Sequence, residues 1–91
     1  MIKSFRSKAL RRFAEKGDPR KLNVQNVDRV RRILSLLDAA KNPGDMDKPG
    51  LMFHPLPHQG NRYAVRVTGN YRVTWGWQGT DAIDVDLEDY H

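Results

Sequence analysis

The fold is decided by the stretch Tyr63-Ala64-Val65-Arg66-Val67-Thr68-Gly69-Asn70-Tyr71-Arg72-Val73-Thr74-Trp75-Gly76-Trp77. On both sides of Gly69-Asn70, large apolar residues alternate with polar or small ones, which is the period of a half-buried strand. Gly followed by Asn is a two-residue turn signal. The stretch therefore predicts a β-hairpin with one face turned to a core.

Two further strands are predicted around this hairpin. Leu51 to Leu56 is a candidate strand, and Pro55 would confine its end to a sheet edge. Ile83 to Asp89 alternates apolar and acidic residues and predicts the last strand. Its acids are expected on one face, as a solvated surface, as a counterpart to basic helices, or as paired carboxylates for acid–base work; they are Asp84, Asp86 and Glu88.

The first half of the chain predicts two amphipathic helices. The first runs from about Ser7 to Lys16 and stops at Gly17. The second would start at Asn23, a suitable N-cap, and end near Ala40. Residues 2–5 are either a short strand or the lead-in to the first helix. Helices followed by a meander of strands predict an α+β fold, with two N-terminal helices packed on one face of an antiparallel sheet.

Composition limits the class of protein. Ninety-one residues suit one domain, spanning 1–91, and the chain has no cysteine for a disulfide or a thiolate metal site. We find no signal peptide and no segment of the roughly 20 apolar residues that a membrane span needs, so a cytoplasmic protein is expected. The three histidines lack metal-ligand spacing, so no cofactor is expected.

Charge is distributed unevenly. Residues 1–42 carry twelve Lys or Arg against four Asp or Glu, whereas residues 43–91 carry four against seven. This asymmetry indicates either a nucleic acid or acidic partner for the basic half, or a solvated helix surface.

Arginine suits phosphate binding because its planar fork makes bidentate contacts and keeps its charge. Arg72 is expected either to bind phosphate or to form a structural ion pair, and the same two alternatives apply to Arg66. A strict two-residue turn would place these two arginines on opposite faces, whereas a bulge near Gly69 would bring them together. Arg62 is expected to be a loop charge.

The aromatic residues and histidines of the second half have two interpretations each. Trp75, Trp77 and Tyr71 share an alternating face that indicates a core stripe, with base stacking as the alternative. His54 is either a partly exposed strand residue or part of a site, and His58 is expected in solvent. Tyr90 and His91 follow a patterned strand, which should hold their proton-transfer and phosphate-contacting atoms in place.

Several segments, in order and at matching spacing along the whole chain, resemble the HigB toxin family of the RelE/ParE superfamily. They are Met1-Ile2-Lys3-Ser4-Phe5, Leu36-Leu37-Asp38-Ala39-Ala40, Pro49-Gly50-Leu51, His54-Pro55-Leu56, residues 65–74 and residues 81–91. The resemblance implies a small α+β toxin that acts as a ribosome-dependent mRNA endonuclease in the ribosomal A site. It also implies a HigA-like helix-turn-helix antitoxin as a partner. The toxin would contact operator DNA only through this antitoxin.

The resemblance also implies site residues. The family's hairpin arginine matches Arg72, its terminal pair matches Tyr90 and His91, and its histidine before Pro-Leu matches His54. Many members have a lysine after that motif, where this chain has Pro57, so the phosphate contact would be absent or moved to His58 or Arg62.

In this reaction the RNA 2′-hydroxyl attacks the adjacent phosphorus without a metal. His91 would transfer protons, Arg72 with Arg66 would stabilise the phosphate oxygens, and Tyr90 would position the nucleotide. The basic helices would attract ribosomal RNA. The residues expected to do so are Lys8, Arg11 and Arg12 of the first helix and Arg29, Arg31 and Arg32, which are expected to face outward on the second. Two alternatives are a toxin of the same fold that inhibits DNA gyrase by binding, in the manner of ParE, and a non-catalytic RNA-binding or partner-binding module.

Overall fold

Two helices precede four strands in the chain. The computed structural model describes residues 1–89, with α1 at Lys8–Lys16 and α2 at Val27–Ala39. The strands are β1 (His54–Leu56), β2 (Arg62–Arg66), β3 (Tyr71–Gln78) and β4 (Asp81–Asp89), and short 3₁₀ turns lie at Pro43–Met46 and Pro57–Gln59. The strands form one antiparallel sheet in the order β1-β2-β3-β4. The predicted α+β architecture is confirmed.

Capping side chains define the helix boundaries. The Ser7 hydroxyl accepts a hydrogen bond from the Leu10 amide at 3.1 Å, and Gly17 ends α1 in the left-handed region, at φ 67°. For α2 the prediction of Asn23 as N-cap is wrong, because the Asn26 side chain accepts from the Arg29 amide at 3.1 Å. The helix starts later because Val24 is buried in the core ahead of the cap.

The N-terminal segment runs along the outer edge of β4. Ile2 and Phe5 form isolated parallel bridges to Ala82 and Val85, and the Lys3 amide donates to the Ala82 carbonyl at 2.8 Å. This contact resolves the two alternatives for residues 2–5 in favour of short strand-like pairing. It also covers a sheet edge that would otherwise present unpaired backbone groups.

The core lies between the helices and one face of the sheet. Trp75 is fully buried there and packs beside Tyr63 and Phe53, with ring centroids 6.2 Å from each. The core interpretation of the tryptophan stripe is thus confirmed for Trp75, while Trp77 is half-buried at the margin. The buried core residues are Leu10, Phe13, Val24, Val30, Ile33, Leu34, Leu37, Ala40, Met46, Leu51, Val65, Val67, Val73, Trp75, Ala82 and Val85.

A β-bulge in β4 changes which residues share a face. Thr74 pairs with Asp86 and Gly76 pairs with Ile83, so two residues of β4 oppose the single Trp75. Asp84 takes φ 49° at this bulge, and its amide donates to the Ser4 hydroxyl at 2.8 Å. The simple alternation predicted for β4 is therefore wrong before the bulge, where Ile83 lies on the face opposite the core. Among residues 1–89, no helix has the length and apolar character needed to cross a membrane.

Candidate active site

The candidate site lies on the face of the sheet turned away from the helices, which we call the polar face. Cα pairing across the strands arranges this face in rows. One row runs Arg66, Arg72 and Glu88 across β2, β3 and β4, and the next runs His54, Ala64, Thr74 and Asp86 across all four strands. Adjacent strands lie about 4.8 Å apart, so side chains in neighbouring positions of these rows are within contact range.

The hairpin turn determines that Arg66 and Arg72 lie on the same face. The amides of Val67 and Thr68 both donate to the Tyr71 carbonyl, at 2.9 and 3.1 Å. Two residues on one strand thus oppose one on the other, which is a β-bulge next to the turn. The resulting register pairs Arg66 with Arg72 directly. Of the two geometries that the sequence left open, the structure therefore has the one that brings the arginines together.

Arg72 forms the ion pair that was one of its two predicted roles. Its Nη2 lies 3.5 Å from Oε1 of Glu88, and the two side chains are 15% and 23% exposed. Glu88 is therefore the partner of a sheet arginine, and its assignment to a solvated surface or to a counterpart of the basic helices is wrong. Both side chains of the pair are thus partly exposed at the polar face.

Thr74 lies under this pair and was missed by the sequence analysis. Its hydroxyl donates to Oε2 of Glu88 at 2.5 Å, and the side chain is fully buried. Nothing in the sequence distinguishes this threonine from other polar residues that alternate along a strand. Its role depends on the pairing of β3 with β4, which brings Glu88 next to it.

Arg62 is a buried residue of β2, and its prediction as a loop charge is wrong. It is 7% exposed, and its Nη2 donates to the Thr74 hydroxyl at 2.9 Å and to the Asp84 carbonyl at 3.0 Å. Burial lowers the pKa of Arg62 from its ordinary value because it disfavours the charged form, and the nearby cation Arg6 lowers it further. The guanidinium of Arg62 is thus held by Thr74 and Asp84 beneath the polar face. It is therefore not placed to make the phosphate contact that the resemblance assigns to a lysine at the position of Pro57.

His54 lies at the exposed edge of the sheet, in the row next to the arginines. Its Nδ1 is 2.9 Å from the carbonyl of Met52, which can only accept. Nδ1 therefore carries the proton, and in the neutral ring Nε2 is left as an acceptor. His58 is exposed in the 3₁₀ turn after β1, as expected. Within residues 1–89, no three His, Cys, Asp or Glu side chains are grouped to hold a metal ion.

The terminal residues of the predicted site, Tyr90 and His91, lie outside the described residues. The last described position, Asp89, pairs with Tyr71 beside the arginine row. The structure thus brings together His54, Arg66 and Arg72 on one face, and β4 approaches that row at its carboxyl end.

The predicted RNA-binding residues of α1 lie on a different surface. Lys8, Arg11 and Arg12 are exposed and line a groove of about 660 Å³ along the outer side of the helix, together with Lys16 and Lys21. Two of these charges are partly neutralised, since Arg11 lies 3.4 Å from Glu15 and Arg12 lies 2.8 Å from Asp18.

The second basic helix departs from its predicted outward display of arginines. Arg29 is half-buried and turns inward: its Nη2 donates to the carbonyls of Gly50 and Arg66 at 2.6 and 2.8 Å, and its Nε donates to Arg66 at 3.1 Å. Arg31 pairs with Asp28 and lies over the Phe13 ring, 5.3 Å from its centroid. Arg29 thus connects α2 to the end of β2, so only Arg31 and Arg32 of the predicted basic trio remain exposed.

Comparison with known proteins identifies the family of this chain. A family model described as a RelE-like toxin of the type II toxin–antitoxin system HigB matches residues 3–91. The curated protein Endoribonuclease HigB from Proteus vulgaris is 35% identical over 92 residues, and the match covers 100% of both chains. The two helices and the four-stranded antiparallel sheet are consistent with a RelE-like fold. The chain therefore belongs to the HigB family of RelE-like toxins of type II toxin–antitoxin systems.

Proposed function

We propose that this protein is a ribosome-dependent mRNA endonuclease, which cuts translated messages in the ribosomal A site and is neutralised by a HigA-like antitoxin. The endoribonuclease activity follows from membership of the HigB family and from the full-length match to a relative named as an endoribonuclease. The finer statements rest on the polar face of the sheet and on the basic surface of α1.

The observation that carries the proposal is the direct pairing of Arg66 with Arg72. Like charges on directly opposed strand positions repel each other and destabilise a sheet. Glu88 offsets part of this repulsion from the far side of Arg72. A phosphate group placed over the pair would be attracted to it, because two guanidinium forks can contact its oxygens together. The row therefore suits the transfer of a phosphoryl group at an RNA linkage.

The chemistry needs three contributions from the protein. One group takes the proton from the 2′-hydroxyl, cations stabilise the charge that develops on the phosphate, and another group protonates the departing 5′-oxygen. Arg72 and Arg66 are the proposed cations. The imidazole of His91 and the Nε2 atom of His54 are the proposed proton-transfer groups, since a neutral imidazole can accept a proton at one nitrogen while the other carries one. The product would be a 2′,3′-cyclic phosphate.

Chain connectivity supports a contribution from Tyr90 and His91. They follow Asp89, whose partner Tyr71 precedes Arg72 in β3. Two residues of extended chain span at most about 7 Å, so the proposed catalytic groups are covalently tied to the arginine end of the sheet. Tyr90 would position or stack on the nucleotide at the scissile linkage.

The ribosome and the antitoxin are the proposed partners in the cytoplasm. The exposed cations of α1 offer sequence-independent attraction to ribosomal RNA, at a surface separate from the polar face. The antitoxin would be a helix-turn-helix protein of the HigA type, through which the pair would contact its own operator.

The test compares the wild-type protein with His91→Ala in a purified translation reaction, by mapping the 5′ ends of the message. Cuts at A-site codons with translating ribosomes, few cuts on the same RNA alone, and loss of cutting in His91→Ala are expected. A gyrase supercoiling assay is run in parallel. If both proteins inhibit gyrase equally and neither cleaves the message, the protein is a ParE-like gyrase inhibitor and the nuclease proposal is wrong. If both proteins are inactive in both assays, the protein is a non-catalytic binding module.

A further inference from the structure

A chain of hydrogen bonds runs beneath the polar face and ends at Arg72. It begins at the buried guanidinium of Arg62, passes through the hydroxyl of Thr74 to the carboxylate of Glu88, and from there reaches Arg72. Three of these four residues lie outside the set that the family resemblance assigns to the reaction.

The direction of each bond in this chain is determined by its chemistry. A guanidinium can only donate, so Nη2 of Arg62 donates to Oγ1 of Thr74 at 2.9 Å. The single hydroxyl proton of Thr74 is then left for Glu88, whose Oε2 accepts at 2.5 Å. The other carboxylate oxygen, Oε1, faces Nη2 of Arg72 at 3.5 Å. Both oxygens of Glu88 are thus engaged by different partners.

Burial makes the first part of this chain rigid. Thr74 is fully buried and Arg62 is 7% exposed, and a second bond from Arg62 to the Asp84 carbonyl, at 3.0 Å, ties it to the bulge of β4. In a site with little water, polar groups that are displaced from their partners lose more than they would in solvent. Thr74 and Arg62 therefore hold the Glu88 carboxylate in one place relative to the sheet.

Arg72 differs from these residues because it lies nearer the surface and meets Glu88 at a longer distance. Its long side chain has several rotatable bonds, and a guanidinium aids phosphoryl transfer only when its donors are aimed where negative charge develops. Glu88 lies beside Arg72 on β4, and its carboxylate contacts the guanidinium from that side.

We propose that Glu88 is a positioning residue, held by Thr74 and Arg62, that orients the guanidinium of Arg72 toward the scissile phosphate. The inference rests on the proposed function, since it requires that Arg72 contacts that phosphate. In the reaction Glu88 acts only through Arg72, and it exchanges no proton with the RNA.

The experiment measures kcat and KM for ribosome-bound message cleavage by Glu88→Gln, with Asp81→Asn as the matched control. Glu88→Gln removes the charge that faces Arg72 and keeps the side-chain shape. Asp81 lies at the other end of β4, is also 23% exposed, and forms an ion pair with Lys3 at 3.5 Å, so its substitution removes the same charge from a matched pair outside the site. We expect Glu88→Gln to lower kcat by roughly tenfold with KM within about twofold, and Asp81→Asn to cleave as the wild type does.

A second pair of variants separates positioning from folding. Thr74→Ser keeps the hydroxyl, and Thr74→Val keeps the shape of the side chain and removes the hydroxyl. We expect Thr74→Ser to retain kcat within about threefold and Thr74→Val to match Glu88→Gln. Relative to the wild type, Thr74→Ser loses only the γ-methyl group, whereas Thr74→Val loses only the hydroxyl. If Thr74→Ser keeps kcat and Thr74→Val loses it in folded samples, the difference therefore reports the hydroxyl itself.

Arg72→Ala, measured in the same assay, keeps the two proposals distinguishable. If Arg72→Ala loses activity while Glu88→Gln and Thr74→Val keep the wild-type kcat, the positioning role is overturned and the phosphate clamp stands. If Arg72→Ala keeps wild-type activity, both fail. A higher kcat or a lower KM in Glu88→Gln would show that the carboxylate competes with RNA for Arg72, which also overturns the positioning role.

Discussion

Replacing Arg29 by alanine tests whether the basic residues of α2 serve the fold or an RNA partner. The structure shows three hydrogen bonds from its guanidinium to two backbone carbonyls, those of Gly50 and Arg66. A hydrogen bond from a charged group contributes about 1.5–3 kcal/mol. Arg29 is only half-buried, so in the variant water can donate hydrogen bonds to the two carbonyls in its place. We therefore take the low end of this range once for each carbonyl. The expected loss in the free energy of unfolding is about 3 kcal/mol.

The assay is thermal and urea unfolding of Arg29→Ala beside Arg32→Ala, an exposed arginine one turn further along the same helix. For a domain of this size, about 3 kcal/mol corresponds to a fall in Tm of roughly 10–25 °C. Arg32→Ala should stay within about 0.5 kcal/mol of the wild type. The free energy of unfolding of Arg29→Lys should lie between those of Arg29→Ala and Arg32→Ala, because the lysine ammonium lacks the fork with which a guanidinium reaches both carbonyls. If Arg29→Ala unfolds like the wild type and instead weakens ribosome binding, Arg29 is an RNA contact and the structural role is refuted.

Three further predictions address the site, the charge network and the core. Arg72→Ala should lower kcat for message cleavage by about 10²–10³-fold, as removal of a donor to developing negative charge does, and single-turnover cleavage on ribosomes measures it; a loss confined to KM would contradict the proposed role. The pKa of Asp18 lies well below its usual range because Arg20 and Arg12 hydrogen-bond its carboxylate. Its ionised form therefore stabilises the fold above the unfolded pKa near 3.9, and this stability is lost as the pH falls toward the folded pKa. Accordingly, the Tm of Asp18→Asn should lie below that of the wild type at pH 7, with a gap that narrows below about pH 4; a gap constant down to pH 2 would show that the charge is irrelevant. Leu37→Ala should lower the free energy of unfolding by about 2–5 kcal/mol in a urea titration, because Leu37 is fully buried between α2 and the sheet; a smaller change would mean that the core collapses around the cavity.

The order and type of the elements could be predicted from the sequence because they depend on local periodicity. Alternation through residues 63–77 predicted the hairpin, and the amphipathic pattern that stops at Gly17 predicted α1. Burial of Trp75 followed from the same alternation. Residue motifs along the whole chain also indicated the toxin family, which the comparisons confirm.

Contacts between distant segments decided the geometry of the site. Whether Arg66 meets Arg72 depends on two amides sharing the Tyr71 carbonyl, and a turn of the same sequence without that bulge would separate them. Similarly, Asn23 and Asn26 are equally suitable caps, and burial of Val24 selects the later one. In each case the local sequence permits more than one arrangement, and contacts with the rest of the molecule select between them.

Arg62 shows most clearly what only the tertiary structure decided. Next to a loop in the sequence it is an ordinary surface charge, and its burial becomes favourable only when β3 and β4 bring the Thr74 hydroxyl and the Asp84 carbonyl to its guanidinium. A buried charge requires partners, and those partners lie 12 and 22 positions away in the chain. The sequence by itself determined the class of fold and the family, through local patterns and motifs. The network beneath the polar face was decided by strand pairing, because hydrogen bonds between distant residues exist only after the sheet has formed.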